Sequence, residues 1–361
     1  MSTLDETLRK ATALAGEVTH EWLVPKAPLS TEQPLVELQL SYEENRKFHN
    51  ELSHFAISDS ACGLRQMPAL GRCLEQLLAP EKFRLLRDFQ HGDEVALVIR
   101  GLPVDAQLPA TPYDGNPDIA ELPVVAGAIL AVLAVLGTCP VGYQGESEDS
   151  VFRHVSPKRQ RETEKSSYGS RLDLGMHVDN PHLPLSCEAV QQLSACPEYL
   201  SLTGLRCELT VPTRIVAIAD VLNMLPDFVE QELLRPSFSV RRPDSFARQG
   251  KVLEHVPLLY RPSSGGLHCR YNMASVSAHC EHSRLALQLF AAAANHPDVV
   301  RSVLLQPGDM LIFKNQQTLH ARDGFAPRYD GLDRWMLRVF GVNDRKRLLP
   351  LSTTHPFIAR A

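Results

Sequence analysis

Histidine followed two residues later by a carboxylate occurs five times in this chain: His49/Glu51, His91/Asp93, His177/Asp179, His279/Glu281 and His296/Asp298. Residues two apart on a strand share a face, so such a pair can offer both side chains to one metal ion. Five occurrences make the pattern uninformative alone, and the surroundings must choose among them. His296 precedes Pro297 at a helix end, and His279/Glu281 sits among charged residues at a helix start. His177-Val178-Asp179, after the glycine-containing run Leu172–Met176, fits best. Further on, Gln306-Pro-Gly-Asp309 reads as a tight turn and Met310–Phe313 as a buried strand. The residues Lys314–Arg322 then read as a loop bearing His320. Two histidines and one carboxylate can occupy one face of iron(II), leaving positions for a chelating cosubstrate and dioxygen.

Arg334 and Arg338 add a second chemistry. Four apart on a strand expected over Trp335–Phe340, they share one face, with Trp335, Leu337 and Val339 on the other. Such a pair either faces solvent or is buried with anions, because unpaired buried charge is costly. In the second case each guanidinium can clamp a carboxylate through two parallel bonds.

These residues need a scaffold. The chain has 361 residues, 44% hydrophobic and 22% charged, which suits a folded globular protein. Its 37 basic and 42 acidic side chains give a net charge of -5, which excludes a generally basic nucleic-acid binder. The apolar run Val124–Gly137 is bracketed by Pro123 and Pro140, too short to span a bilayer, and reads as a buried helix. The charged N-terminus lacks a signal-peptide core, so a cytoplasmic protein with no membrane partner is expected. Eight cysteines without a C-x-x-C spacing read as reduced thiols.

Helices are expected over residues 1–30, Ser41–Phe55, Pro68–Leu78, Asp220–Leu234 and His282–Ala294. Strands are expected at Glu94–Arg100, Tyr199–Leu205, Arg214–Ala219, Phe238–Arg241, Leu267–Tyr271, Met310–Phe313 and Trp335–Phe340. Short strands among helices imply an α+β, mainly β, sandwich with a helical layer. No linker is evident. A single domain is expected over 1–361, with an N-terminal helical part (1–90), a catalytic core (91–345) and a C-terminal tail (346–361).

Residues 92–345 resemble the clavaminate synthase-like iron(II)/2-oxoglutarate-dependent dioxygenases, which include hydroxylases of free amino acids. The likeness is carried by Val98–Pro103, Leu174–Asp179, Arg241–Phe246, Pro307–Asp309, His320–Arg322 and Arg334–Arg338. It implies a double-stranded β-helix (jelly-roll) core flanked by helices. It also implies that His177, Asp179 and His320 bind iron, while Arg334 and Thr213 hold the distal carboxylate of 2-oxoglutarate. Arg338 is then expected to grip a substrate α-carboxylate, with Glu146 or Gln144 for the α-ammonium group. His154, Ser166, Ser167 and Tyr168 are further pocket candidates.

Halogenases that resemble this pattern have a small residue where Asp179 stands, so its carboxylate implies hydroxylation with dioxygen. The segment His268–Ser275 carries Asn272 where arginine hydroxylases of the family place paired aspartates. Related lysine-acting enzymes resemble it more, which makes free L-lysine the expected substrate. Arginine or another polar amino acid is the alternative. A divalent-metal hydrolase and a non-catalytic jelly-roll binding protein are the readings from other classes. The oligomeric state is not legible.

Overall fold

Alternate residues of the strand Met310–Lys314 enter two different cores, which sets the layering of the molecule. Met310 and Ile312 pack with the helices Tyr42–Leu52, Ser60–Leu77 and Pro123–Val135, whereas Leu311 and Phe313 pack with Ile215 and Val303 of a second sheet. The strands Ala96–Arg100 and Trp335–Val342 divide their side chains in the same way. A strand buried on both faces is a nearly continuous apolar run, which is why these three stood out in the sequence.

The computed structural model describes residues 23–27, 35–164, 166, 168–246, 252–262 and 266–361. The expected N-terminal helix falls mostly outside them, and residues 23–27 are not helical. The major sheet has eight strands. Its path runs Leu35–Gln39, Ala96–Arg100, Met310–Lys314, Tyr199–Arg206, Trp335–Val342, Cys139–Tyr143 and Ile358–Ala359, with Arg153–Val155 also pairing to Trp335–Val342. A four-stranded minor sheet runs Arg301–Val303, Thr213–Ala217, Thr318–Arg322 and Leu174–His177. Its outer face packs against the helices Ile218–Asn223, Asp227–Leu233 and Glu281–Ala294. The result is α+β, with these two sheets between helical layers, and a three-stranded and a two-stranded sheet account for the remaining described strands.

Several expectations need correction. His320 lies on a strand, Thr318–Arg322, because Leu319 and Ala321 alternate into the outer core while the backbone pairs on both sides. The helix expected from Pro68 begins at Ser60, capped by Asp59, whose side chain accepts from the Cys62 amide. The helix expected over Asp220–Leu234 is two helices, since Pro226 lacks an amide donor and disfavours helical backbone at Leu225. Within Leu267–Tyr271 only His268–Cys269 is strand. Residues 124–133 are buried throughout, as expected, and the carboxylate of Asp105 caps that helix through the Val124 and Val125 amides. Among the described residues no helix is long and apolar enough to cross a membrane. Gly308, at φ +85°, makes the turn before Met310, where a Cβ would collide with the Leu102 carbonyl.

Candidate active site

Neighbouring strands of the minor sheet bring the two histidines together: His177 pairs directly with His320 in the register of Leu174–His177 with Thr318–Arg322. Their ring centroids are 4.0 Å apart. Asp179 follows the first strand. Its backbone is held by Asn315, whose Oδ1 accepts from the Asp179 amide at 3.0 Å and whose Nδ2 donates to the Asp179 carbonyl at 3.1 Å. His177 Nε2 lies 3.3 Å from Asp179 Oδ1, and His320 Nε2 lies 4.0 Å from Oδ2. The three ligand atoms fall within 4.8 Å of one another.

His177 Nδ1 donates to the Gly175 carbonyl at 2.8 Å, so the proton sits there and Nε2 keeps its lone pair for the site. Burial and the neighbouring His177 hold the His320 pKa down at about 3, so its ring is neutral near pH 7. Burial works to raise the Asp179 pKa. The Arg338 guanidinium outweighs it and holds the carboxyl below its usual range. Two imidazoles and one carboxylate converging from one side are a donor set that fits iron(II).

A cavity opens beside this cluster, lined also by Leu202, Thr213, Asn272, Arg322, Arg334, Met336 and Arg338. Arg334, Met336 and Arg338 share the cavity face, while Trp335, Leu337 and Val339 enter the helical-side core. The solvent-facing reading of the two arginines therefore fails. Arg334 Nη2 donates to Thr213 Oγ1 at 3.3 Å, and no carboxylate of the described residues lies within ion-pair distance of Arg334. Burial and the nearby Arg322 hold its pKa down at about 9. Arg338 donates from Nη1 to Asp179 Oδ2 at 3.1 Å and from Nη2 to Glu146 Oε1 at 2.7 Å.

The other expected site residues divide. Glu146 is buried, accepting from Arg153, Arg338 and Asn180, and does not line the cavity. Gln144 is exposed and outside it. Asn272 and Ser166 line it, and Ser167 lies outside the described residues. His154 does not line it: paired opposite Leu337, it accepts the Trp335 indole N–H at 3.1 Å on the helical side. Tyr168 is held between the guanidiniums of Arg153 and Arg161, 4.2 and 4.1 Å from the ring centroid. Sequence reasoning missed Arg153, Arg322 and Asn315. Arg153 sits in a polar run resembling a surface loop, although its neighbours Val151 and Phe152 signalled burial.

Known proteins can now be compared with this geometry. A family profile described as taurine catabolism dioxygenase TauD, TfdA family, matches residues 239–340. L-asparagine oxygenase of Streptomyces coelicolor (strain ATCC BAA-471 / A3(2) / M145) is 30% identical over 259 residues, covering 71% of this chain and 73% of that protein. The chain belongs to the iron(II)/2-oxoglutarate-dependent amino-acid oxygenases of this family. L-lysine 3-hydroxylase of Catenulispora acidiphila is 26% identical over 275 residues, covering 73% of this chain and 72% of that one. A crystal structure of asparagine oxygenase with Fe(II), 2S,3S-3-hydroxyasparagine and succinate superposes with a TM-score of 0.75 at 25% identity, covering 90% of this chain and 99% of that one. Membership makes this oxygenase an enzyme that uses iron(II), 2-oxoglutarate and dioxygen, and sets aside the hydrolase and binding-protein readings.

Proposed function

We propose that this oxygenase hydroxylates an unactivated C–H bond of a free L-amino acid, with His177, Asp179 and His320 holding the iron. The observation that carries this reading is Arg334. It is a buried guanidinium without a carboxylate partner among the described residues, in a cavity that also holds the three converging ligands. A buried cation of that kind calls for an anion, and the distal carboxylate of 2-oxoglutarate fits it, with the Thr213 hydroxyl as a further partner. The two sheets facing each other across this cavity support reading them as a double-stranded β-helix. Site residues drawn from positions 177 to 338 support reading the chain as one domain.

When bound, iron(II) with 2-oxoglutarate and dioxygen supplies the oxidising chemistry, releasing succinate and carbon dioxide. The chain's own residues bind and aim. Arg338, whose Nε makes no hydrogen bond among the described residues, receives the substrate α-carboxylate. Glu146 works behind it, fixing Arg338 and Arg153. The lysine expectation rested on Asn272 as an acceptor for an ammonium head. Asn272 Oδ1 accepts from the Ala274 amide at 2.9 Å, which leaves it one lone pair for such a head.

Anaerobic addition of iron(II) and 2-oxoglutarate should give a weak visible charge-transfer band. Admission of air with free amino acids should give succinate and one product bearing an added oxygen by mass spectrometry. Absence of both band and succinate overturns the reading.

A further inference from the structure

Arg153 lies directly opposite Arg338 where Arg153–Val155 pairs with Trp335–Val342, and both line the cavity. Between them a single atom, Glu146 Oε1, accepts from Arg153 Nη1 at 2.9 Å and from Arg338 Nη2 at 2.7 Å. Like charges facing each other across a sheet repel; Arg338 has Asp179 as a second carboxylate, whereas Arg153 shares only Glu146 among the described residues. Arg153 is 1% exposed, and its Nε and Nη2 have no hydrogen-bond partner among the described residues. The Tyr168 ring lies over it, its centroid 4.2 Å away. Buried donors left in this way are costly unless a ligand meets them.

Asn272 points to the same polarity. One of the two Oδ1 lone pairs is taken by the Ala274 amide, and both Nδ2 protons remain to be donated. Charge agrees with this. Four buried guanidiniums line the cavity, those of Arg153, Arg322, Arg334 and Arg338, against Asp179 in its wall, Glu146 behind and Asp173 near Arg322, while Asp323 is paired with Arg214. Iron(II) and the 2-oxoglutarate dianion cancel, and the α-groups of an amino acid are together neutral. The half-exposed Asp244 is already paired with Arg241 at 2.7 Å. Positive charge therefore remains for the side chain to meet.

Resting on the reading of the site given above, we infer that Arg153 and Asn272 select a free amino acid whose side chain ends in an acceptor, a carboxamide or a carboxylate. The same donors reject lysine and arginine, which would bring a third cation against Arg153 and Arg338.

The test is calorimetric binding to the anaerobic iron(II)/2-oxoglutarate protein, using L-asparagine, L-glutamine, L-aspartate, L-glutamate, L-lysine and L-arginine as probes. At least one of the first four should bind about tenfold or more tighter than both cations, and the amide and acid arms distinguish the two acceptors. In Arg153→Gln, checked for folding by thermal unfolding, that preference should shrink toward unity. Lysine or arginine binding equally well or better overturns the inference and leaves the hydroxylase reading standing. So does an unchanged preference in a folded Arg153→Gln. If the variant does not fold, the panel on the unaltered protein decides. Binding of none of the probes, with no succinate formed in air, overturns both.

Discussion

Arg334 Nη2 donates to Thr213 Oγ1 at 3.3 Å, so a buried guanidinium rests against a neutral hydroxyl instead of a carboxylate. A structural arginine in such a place is normally paired, and losing one partner of a buried pair is strongly destabilising. Arg334 has no pair to lose.

Arg334→Met should therefore leave the ligand-free protein as stable as before, or more so, in thermal unfolding. The same variant should raise the KM for 2-oxoglutarate roughly 100-fold, the equivalent of about 3 kcal/mol of charge-assisted hydrogen bonding. A fall in ligand-free Tm with an unchanged KM would assign Arg334 to the scaffold.

Asp179→Ala should reduce hydroxylation to background, read as succinate release and product mass. Asn315→Ala leaves the ligands in place but frees the Asp179 backbone. Iron affinity should then drop about 10–100-fold, as for other outer-shell partners of metal ligands, with little change in fold by circular dichroism. Full activity in Asp179→Ala would show that a different carboxylate serves the iron.

Glu146→Gln takes from Arg153 its only carboxylate among the described residues and from Arg338 one of two. A loss of about 3–5 kcal/mol in urea unfolding is expected, larger than for a surface carboxylate. Unaltered stability would mean that the two arginines are compensated elsewhere.

His182 gives the expected pH dependence. Burial, with Arg242 and Arg270 nearby, holds its pKa down at about 3, against an ordinary value of 6.5. The unfolded chain binds the proton more readily, so this contribution is complete above about pH 6.5 and is lost progressively as pH falls toward 3. At pH 5 the loss is roughly 2 kcal/mol relative to pH 7. Neither ring nitrogen has a hydrogen-bond partner among the described residues, and the ring packs edge-on to Phe246 at 5.0 Å. His182→Phe should thus keep stability at pH 7 and flatten the decline between pH 7 and 5 in urea titrations. An unchanged slope would refute the assignment.

What the sequence disclosed follows from how local each signal is. The strand at Trp335 and the shared face of Arg334 and Arg338 come from alternation within a few residues, and the structure has both. His320 was placed in a loop because Thr318–Arg322 mixes polar and apolar residues. Its strand is visible once the sheet supplies a core for Leu319 and Ala321 and a cavity for His320. Arg153, and the place of Glu146 behind Arg338 and not in the cavity wall, were beyond reach for a related reason. A charged residue in a polar stretch reads as solvated until a distant strand, here Trp335–Val342, closes over it. The engagement of Asn272 Oδ1 was invisible too, since residue type does not say which end of an amide is occupied.

The pairing of Trp335–Val342 with Tyr199–Arg206 slips between Trp335 and Met336, so one irregular step separates the two cavity arginines. Both faces of this strand are buried, one in hydrocarbon and one in the charged cavity. Deleting or inserting one residue at that step would send one guanidinium into the apolar layer and a tryptophan or leucine into the cavity. Ancestral change at this strand is thereby confined to replacement of side chains. A change in chain length is better borne outside this strand, where it does not disturb the spacing of four between Arg334 and Arg338.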